Sequence, residues 1–216
     1  MSRTALAGAR TVASVGDGTR DEASIEVPEL RTERLLLRDW RGSDLAPFAE
    51  LNSDPIAMEH FPSTMTRAQS DEMVEAQRAR WRDDAMSWWA VEDAATGQFL
   101  GAVGPMLVTI DAPFNDPMAP SVELGWRLRR ESWGRGHATE AALAALVWVF
   151  EDPGLDEVVS FTVVANSRSR RVMEKLGMVH DPGGDFDHPR VPDSSPLRRH
   201  VLYRVSRAAW SEESAV

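Results

Sequence analysis

Trp133-Gly134-Arg135-Gly136-His137-Ala138-Thr139-Glu140 runs straight into the apolar stretch Ala141 to Phe150. Two glycines flank one arginine where a strand pattern ends and a helix pattern begins. Such a junction turns a row of unpaired backbone N–H groups, at the positive end of a helix dipole, toward whatever lies in front of it. Phosphate and pyrophosphate bind at places of this kind. The missing side chains at Gly134 and Gly136 let a ligand reach the backbone. The competing reading is a tight turn that only lets the helix pack. Other nucleotide loops fit poorly. No Gly-x-x-x-x-Gly-Lys-Ser/Thr occurs, and the only lysine, Lys175, is far from the loop. A Rossmann loop needs a third glycine where Thr139 stands, and an early strand before it.

Upstream of the loop, Val122 to Arg129 alternates. Val122, Leu124, Trp126 and Leu128 take one face and Glu123, Gly125 and Arg127 the other, which predicts a strand. Downstream, the helix from Ala141 to Phe150 is apolar nearly all round and belongs in the core. Glu157 to Val164 reads as a further strand. Asn166 caps an amphipathic helix ending at Gly177, with Val172, Met173 and Leu176 inward. Closing strands at Met178 to His180 and His200 to Val205 are separated by a long polar loop.

Toward the N-terminus, Arg34 to Arg38 is a first strand, and Ser43 or Asp44 caps a helix through about Leu51. Thr66-Arg67-Ala68-Gln69 is a capping box for a helix to Trp81, with Met73, Gln77 and Trp81 along one stripe. Met86 to Glu92 and Phe99 to Ile110 are strands joined by a turn, and Asp111 to Pro120 is a proline-broken loop. Residues 1–27 lack periodicity and read as a mobile tail, 28–210 as one domain, and 211–216 as a short tail.

A chain of 216 residues is long enough for one domain with a full core. Its formal net charge of −10 disfavours sequence-independent binding to nucleic acid. Arginines still cluster near the loop, at Arg127, Arg129, Arg130 and Arg135, and again at Arg168, Arg170 and Arg171. A polyanionic ligand would need such local cations; solvated surface arginine is the alternative. There is no cysteine, so disulfides, thiolate metal sites and cysteine nucleophiles are excluded. No apolar run reaches the length of a membrane span, and the first residues make a poor secretory signal. A cytoplasmic protein is expected.

Order and motifs together resemble the GNAT superfamily of N-acetyltransferases, most closely its bacterial branch of ribosomal-protein-alanine-acetyltransferase-like enzymes. The matching pieces begin with Arg31 to Arg38 and Val122 to Leu128, followed by the loop from Trp133 to Ala141. Asn166-Ser167-Arg168-Ser169, Glu174 to Met178 and Arg199 to Arg204 complete them, so coverage runs from about Pro28 to Trp210. The resemblance implies an α+β fold of three layers, a mixed, bent sheet of about seven strands flanked by helices. It implies acetyl-CoA wedged where two central strands splay, its pyrophosphate on the loop's amides. The cofactor-binding residues it implies are Leu128, Gly134, Arg135, Gly136, Ala138, Thr139 and Asn166. Where the family's loop opens on Arg or Gln, this chain has Glu131, so side-chain help must come from elsewhere, Arg130 or Arg135.

Acetyl transfer to an amine needs a neutral nucleophile, a polarised thioester and a proton for the leaving thiolate. Glu123 is the candidate base; an exposed strand carboxylate is the alternative. An α-amine of pKa near 8 is roughly a tenth neutral at pH 7, whereas a lysine is under about a thousandth neutral, so an α-amino acceptor asks less of the base. Many relatives carry a tyrosine acid seven residues after the helix-opening asparagine; here that position is Met173. Ser169 is the expected substitute, and Tyr203 is expected to be structural. Asn166 is a pantetheine contact, a helix cap, or both.

Of Trp88 and Trp89, one packs in the core and the other borders the acceptor groove, to which Trp89 is assigned. His188 and His200 are expected at the acceptor, and no metal site is expected from the histidine spacing. Without a cysteine, direct attack in a ternary complex is favoured over an acetyl-enzyme. A catalytically silent CoA-binding module and modification of aminoacylated tRNA are the alternatives. The acceptor, a protein N-terminus or a small amine, stays open; an exposed Trp or Met patch would point to a homodimer.

Overall fold

The computed structural model describes residues 26–214. The expected N-terminal tail up to Ile25, and the last two residues, lie outside the described residues. The strands are β1 (Leu30–Arg31), β2 (Leu35–Arg38), β3 (Trp89–Asp93), β4 (Phe99–Leu107), β5 (Val122–Leu128), β6 (Glu157–Val163), β7 (Val179–His180), β8 (Phe186–Asp187) and β9 (Arg199–Ser206). The helices are α1 (Leu45–Ser53), α2 (Arg67–Asp84), α3 (His137–Val149), α4 (Ser167–Lys175) and α5 (Arg207–Ser214).

All strands join one mixed sheet in the order β1-β2-β3-β4-β5-β6-β9-β7, with β8 also on β9. Among the described residues only β5 and β6 run parallel. The three-layer α+β arrangement expected from the sequence is present. The two-residue strands β1 and β8 raise the count above about seven, and pieces so short leave no periodic signal.

Strand alternation sorts the core onto two faces. Leu35, Leu37, Trp89, Val91, Val103, Val122 and Leu124 pack with Ala141, Ala145, Leu146 and Val149 of α3. The alanines let this helix lie close to the sheet. On the opposite face Ala90 and Ala102, with Trp88 just before β3, pack with Phe48 and Leu51 of α1 and Val74 of α2. The capping box of α2 is formed as expected, Thr66 accepting from the Gln69 backbone N–H. Its buried stripe is Ser70, Val74, Gln77 and Trp81; Met73 sits half-buried at its edge.

Two local expectations are corrected. The Asp44 side chain does not cap α1. It accepts from Arg38 Nη1 at 2.7 Å and Nη2 at 2.9 Å, inside a buried network that Glu92 completes. A buried guanidinium draws carboxylates more strongly than a helix end does. The polar stretch between β7 and β9 is not one long loop. Phe186, its one buried aromatic, packs on Val108, Ile110 and Leu202, and this anchors β8 on β9.

The feature that positions the site is a parting of strands. Between β5 and β6 the ladder pairs Glu123 with Val159 and nothing further along. β6 stays paired with β9 as far as Val163. The edge of β5 beyond Glu123 is therefore open toward β6. Among the described residues no helix is long and apolar enough to cross a membrane.

Candidate active site

A cleft of about 690 Å³ opens where β5 and β6 part. Its loop end is made by backbone. Gly134 (φ +72°) and Gly136 (φ +81°) are left-handed, and Gly136 is the N-cap of α3 without a side-chain cap. The helix begins at His137, directly after Gly136, as the glycine junction implies. Glu140 N–H is the first in this segment to find an acceptor, Gly136 O at 3.0 Å. From Gly134 through Thr139 no backbone N–H has a partner among the described residues. A Cβ placed at Gly134 would meet nothing within 4 Å, and Gly134, Gly136, Ala138 and Thr139 all line the cleft, so the loop faces open space. That row of donors at a helix N-terminus fits a diphosphate.

Charges around the loop depart from expectation. Arg135 does not line the cleft; its carbonyl accepts from Arg34 Nη1 at 2.9 Å. Arg130 is paired with Asp54 at 3.3 Å, and Glu131 faces Arg129. The cations on the cleft wall beside the loop are Arg168, whose guanidinium stacks on Trp133 at 4.4 Å, Arg171 and Lys175.

Asn166 is the cap the sequence predicted, its Oδ1 accepting from Ser169 N–H at 3.1 Å. Its Nδ2 donates to Thr162 Oγ1 and to Ser169 Oγ, both at 3.0 Å. Because Ser169 Oγ is an acceptor in that bond, its own proton is free for another partner. Met173 is buried on the wall and has no proton to give. Tyr203 lies outside the cleft, bonded to Arg170 and Glu174.

Glu123 stands at the last paired position before β5 and β6 part, with its side chain on the cleft wall. Burial alone pushes its carboxyl up to about 7; no hydrogen bond or charge opposes the shift. A group of this kind exchanges protons near neutral pH.

Beyond Glu123 on the same face of β5, Arg127 points toward α1 rather than toward the loop with which the sequence grouped it. Gly125, between them, leaves room for Trp88, whose ring carbon would lie 2.8 Å from a Cβ there. Trp89 is a correction: it is fully buried against Trp81 and Trp148, at ring distances of 4.9 and 5.2 Å, and donates to Pro28 O. Of the pair, Trp88 is the one on the cleft wall. The face carrying α3 is the deeper one, and alternation could not show which residue pointed there.

His188 and His200 line the opposite wall with ring centroids 4.9 Å apart, packed on Phe161 and Phe186. Burial, with His200 and Arg190 nearby, lowers His188 to about 4, and burial lowers His200 too. Both are neutral at pH 7. Ten of the twelve expected site residues therefore line one cleft, all but Arg135 and Trp89. Sequence reasoning missed Phe61, Trp88, Arg127 as a wall residue, His137, Ser160 and Thr162.

Comparison with known proteins agrees with this geometry. A family model described as an acetyltransferase (GNAT) domain matches residues 34–179. The Bacillus subtilis protein YkkB is 32% identical over 151 residues, 69% of this chain and 84% of that protein. An acetyltransferase of Agrobacterium tumefaciens superposes with a TM-score of 0.67 at 26% identity, covering 88% of this chain and all of that one. The Vibrio cholerae spermidine N-acetyltransferase, solved with CoA and spermine, shares the fold (TM-score 0.62, 20% identity, 83% of this chain and 99% of that one). The matched domain spans the parted strands, the glycine loop and α4, and the chain belongs to the GNAT family of acetyltransferases.

Proposed function

We propose that the chain moves the acetyl group of acetyl-CoA to a primary amine, a protein N-terminus or a small molecule, by direct attack in a ternary complex. The observation that carries this reading is Glu123, a carboxyl of pKa about 7 at the point where the strands part. The amides from Gly134 to Thr139 hold the diphosphate, and the open edge of β5 up to Leu128 gives the pantetheine arm backbone groups to pair with. Acetyl-CoA supplies the thioester carbonyl that the amine attacks.

The new N–C bond forms as the C–S bond breaks. Glu123 accepts the proton lost by the amine, directly or through one water. Ser169 Oγ, oriented by Asn166, gives a proton to the departing sulfur and regains one from solvent. The pyrophosphate is bound by backbone, so Glu131 in place of Arg or Gln leaves the cradle intact. The test is to follow free thiol while the protein is mixed with acetyl-CoA and a panel of amines and peptide N-termini. Thiol release that depends on the amine supports the reading. CoA-dependent thermal stabilisation without release from any amine replaces it with a silent CoA-binding module, for which the proton-less Met173 would then account.

A further inference from the structure

The wall of the cleft on the α1–α2 face carries two buried donors, on Arg127 and Trp88, whose needs it does not fully meet; Glu59, the carboxylate in that wall, is paired with Arg168 instead. Arg127 is 6% exposed and has no carboxylate partner among the described residues. Its Nη1 donates to Asn52 Oδ1 at 2.6 Å, and the Phe61 ring covers its face at 4.2 Å. Nε is closed off without a partner, and Nη2 has none among the described residues. In the same wall the Trp88 ring lies 5.8 Å from this guanidinium, and its Nε1 is also buried and unpartnered. Buried donors are rarely left unmet, and a buried guanidinium without a counter-ion is costly. Desolvation lowers Arg127 only to about 10, so it stays charged at neutral pH.

The diphosphate is not the missing partner. Arg127 pairs with Ala102 across β4, which puts it on the face that α1 and α2 cover. The amide loop opens at the start of α3, which covers the other face, and has its own cations in Arg168, Arg171 and Lys175. Nε is closed off, so the donor of this guanidinium left for a ligand is Nη2, and a carboxylate is an anionic acceptor that takes a charge-assisted hydrogen bond from it. A polyamine or another polycation would add positive charge beside it.

Resting on the acetyl-transfer reading, we propose that the acceptor is a primary amine that also bears a carboxylate. Arg127 holds the carboxylate through Nη2 while the amine lies toward Glu123. A free amino acid and a peptide with an acidic residue near its N-terminus share this chemistry.

Matched pairs of amines separate the possibilities: amino acids against their amides, and peptides with Glu against Gln at the second residue. The carboxylate member is expected to be the better acceptor by roughly ten- to a hundredfold in kcat/KM. Arg127→Gln removes that preference through KM, and Arg127→Lys keeps part of it. Thermal stabilisation of both variants by CoA shows that they fold. Which pair shows the effect tells free amino acid from peptide. Equal use of acid and amide, or a preference that survives in Arg127→Gln, overturns the proposal while leaving acetyl transfer intact. If no amine is turned over, calorimetry of the same pairs on the CoA-loaded protein decides. Binding of the acid but not the amide, lost in Arg127→Gln, supports it, and equal or absent binding of both refutes it.

Discussion

The two ends of the cleft are built on opposite principles. The loop end is backbone, a few consecutive residues from Gly134 to Thr139 whose amides have no partner among the described residues. The α1–α2 end is side chains, Phe61, Trp88 and Arg127, drawn from three separate stretches and held by the sheet register. A backbone site tolerates any side chain that stays out of its way and fails when a Cβ enters it. A side-chain site fails on a single polar change and can be retuned by one. The first suits a group common to every turnover, the second a group that defines the acceptor.

The largest effect is expected at Glu123, where the two ends meet. Glu123→Gln should cut kcat by about a hundred- to a thousandfold with CoA binding kept. In the parent, kcat should rise with pH through about 7 and level off above it, because the carboxyl is protonated and useless as a base below that value. The glutamine variant should lose this limb. An unchanged pH profile in that variant would remove Glu123 from the chemistry.

Gly134→Val probes the backbone end. A Cβ there meets no protein atom, and the strained φ costs the fold only about 1–2 kcal/mol. CoA affinity should fall by roughly a hundredfold as charge-assisted bonds to the diphosphate are lost. Acceptor preference should not change, the mirror image of Arg127→Gln. Calorimetry with CoA gives the answer, and near-normal affinity would mean that the amides are not the cradle. Ser169→Ala is the smallest change, lowering kcat by about three- to tenfold with both Michaelis constants steady. An unaffected kcat would assign the thiolate's proton to solvent.

The same contrast explains what could be read in the sequence. The loop is one contiguous stretch whose glycines and helix start are local, so it was visible without the fold. Alternation along β5 put Glu123 on one face, and the Asn166 cap fixed where Ser169 would stand. Trp88 and Trp89 show the limit, since a period of two says that they diverge and not which face is deep. Arg127 lies next to the loop in sequence and on the other side of the sheet in space. His188 and His200 meet because β8 pairs with β9, a ladder anchored by one phenylalanine in a stretch that reads as polar loop. Tertiary register, which no local pattern encodes, made each of these placements.

On the proposed reading, CoA is gripped by naked amides on one side of β5 and delivers its sulfur between the parted strands. A crystal structure of the chain with CoA tests this most directly. The diphosphate is expected on the N–H groups of residues 134–139 and the sulfur between Glu123 and Ser169. A diphosphate bound by side chains elsewhere, or a sulfur on the far side of β5 from Glu123, would contradict it.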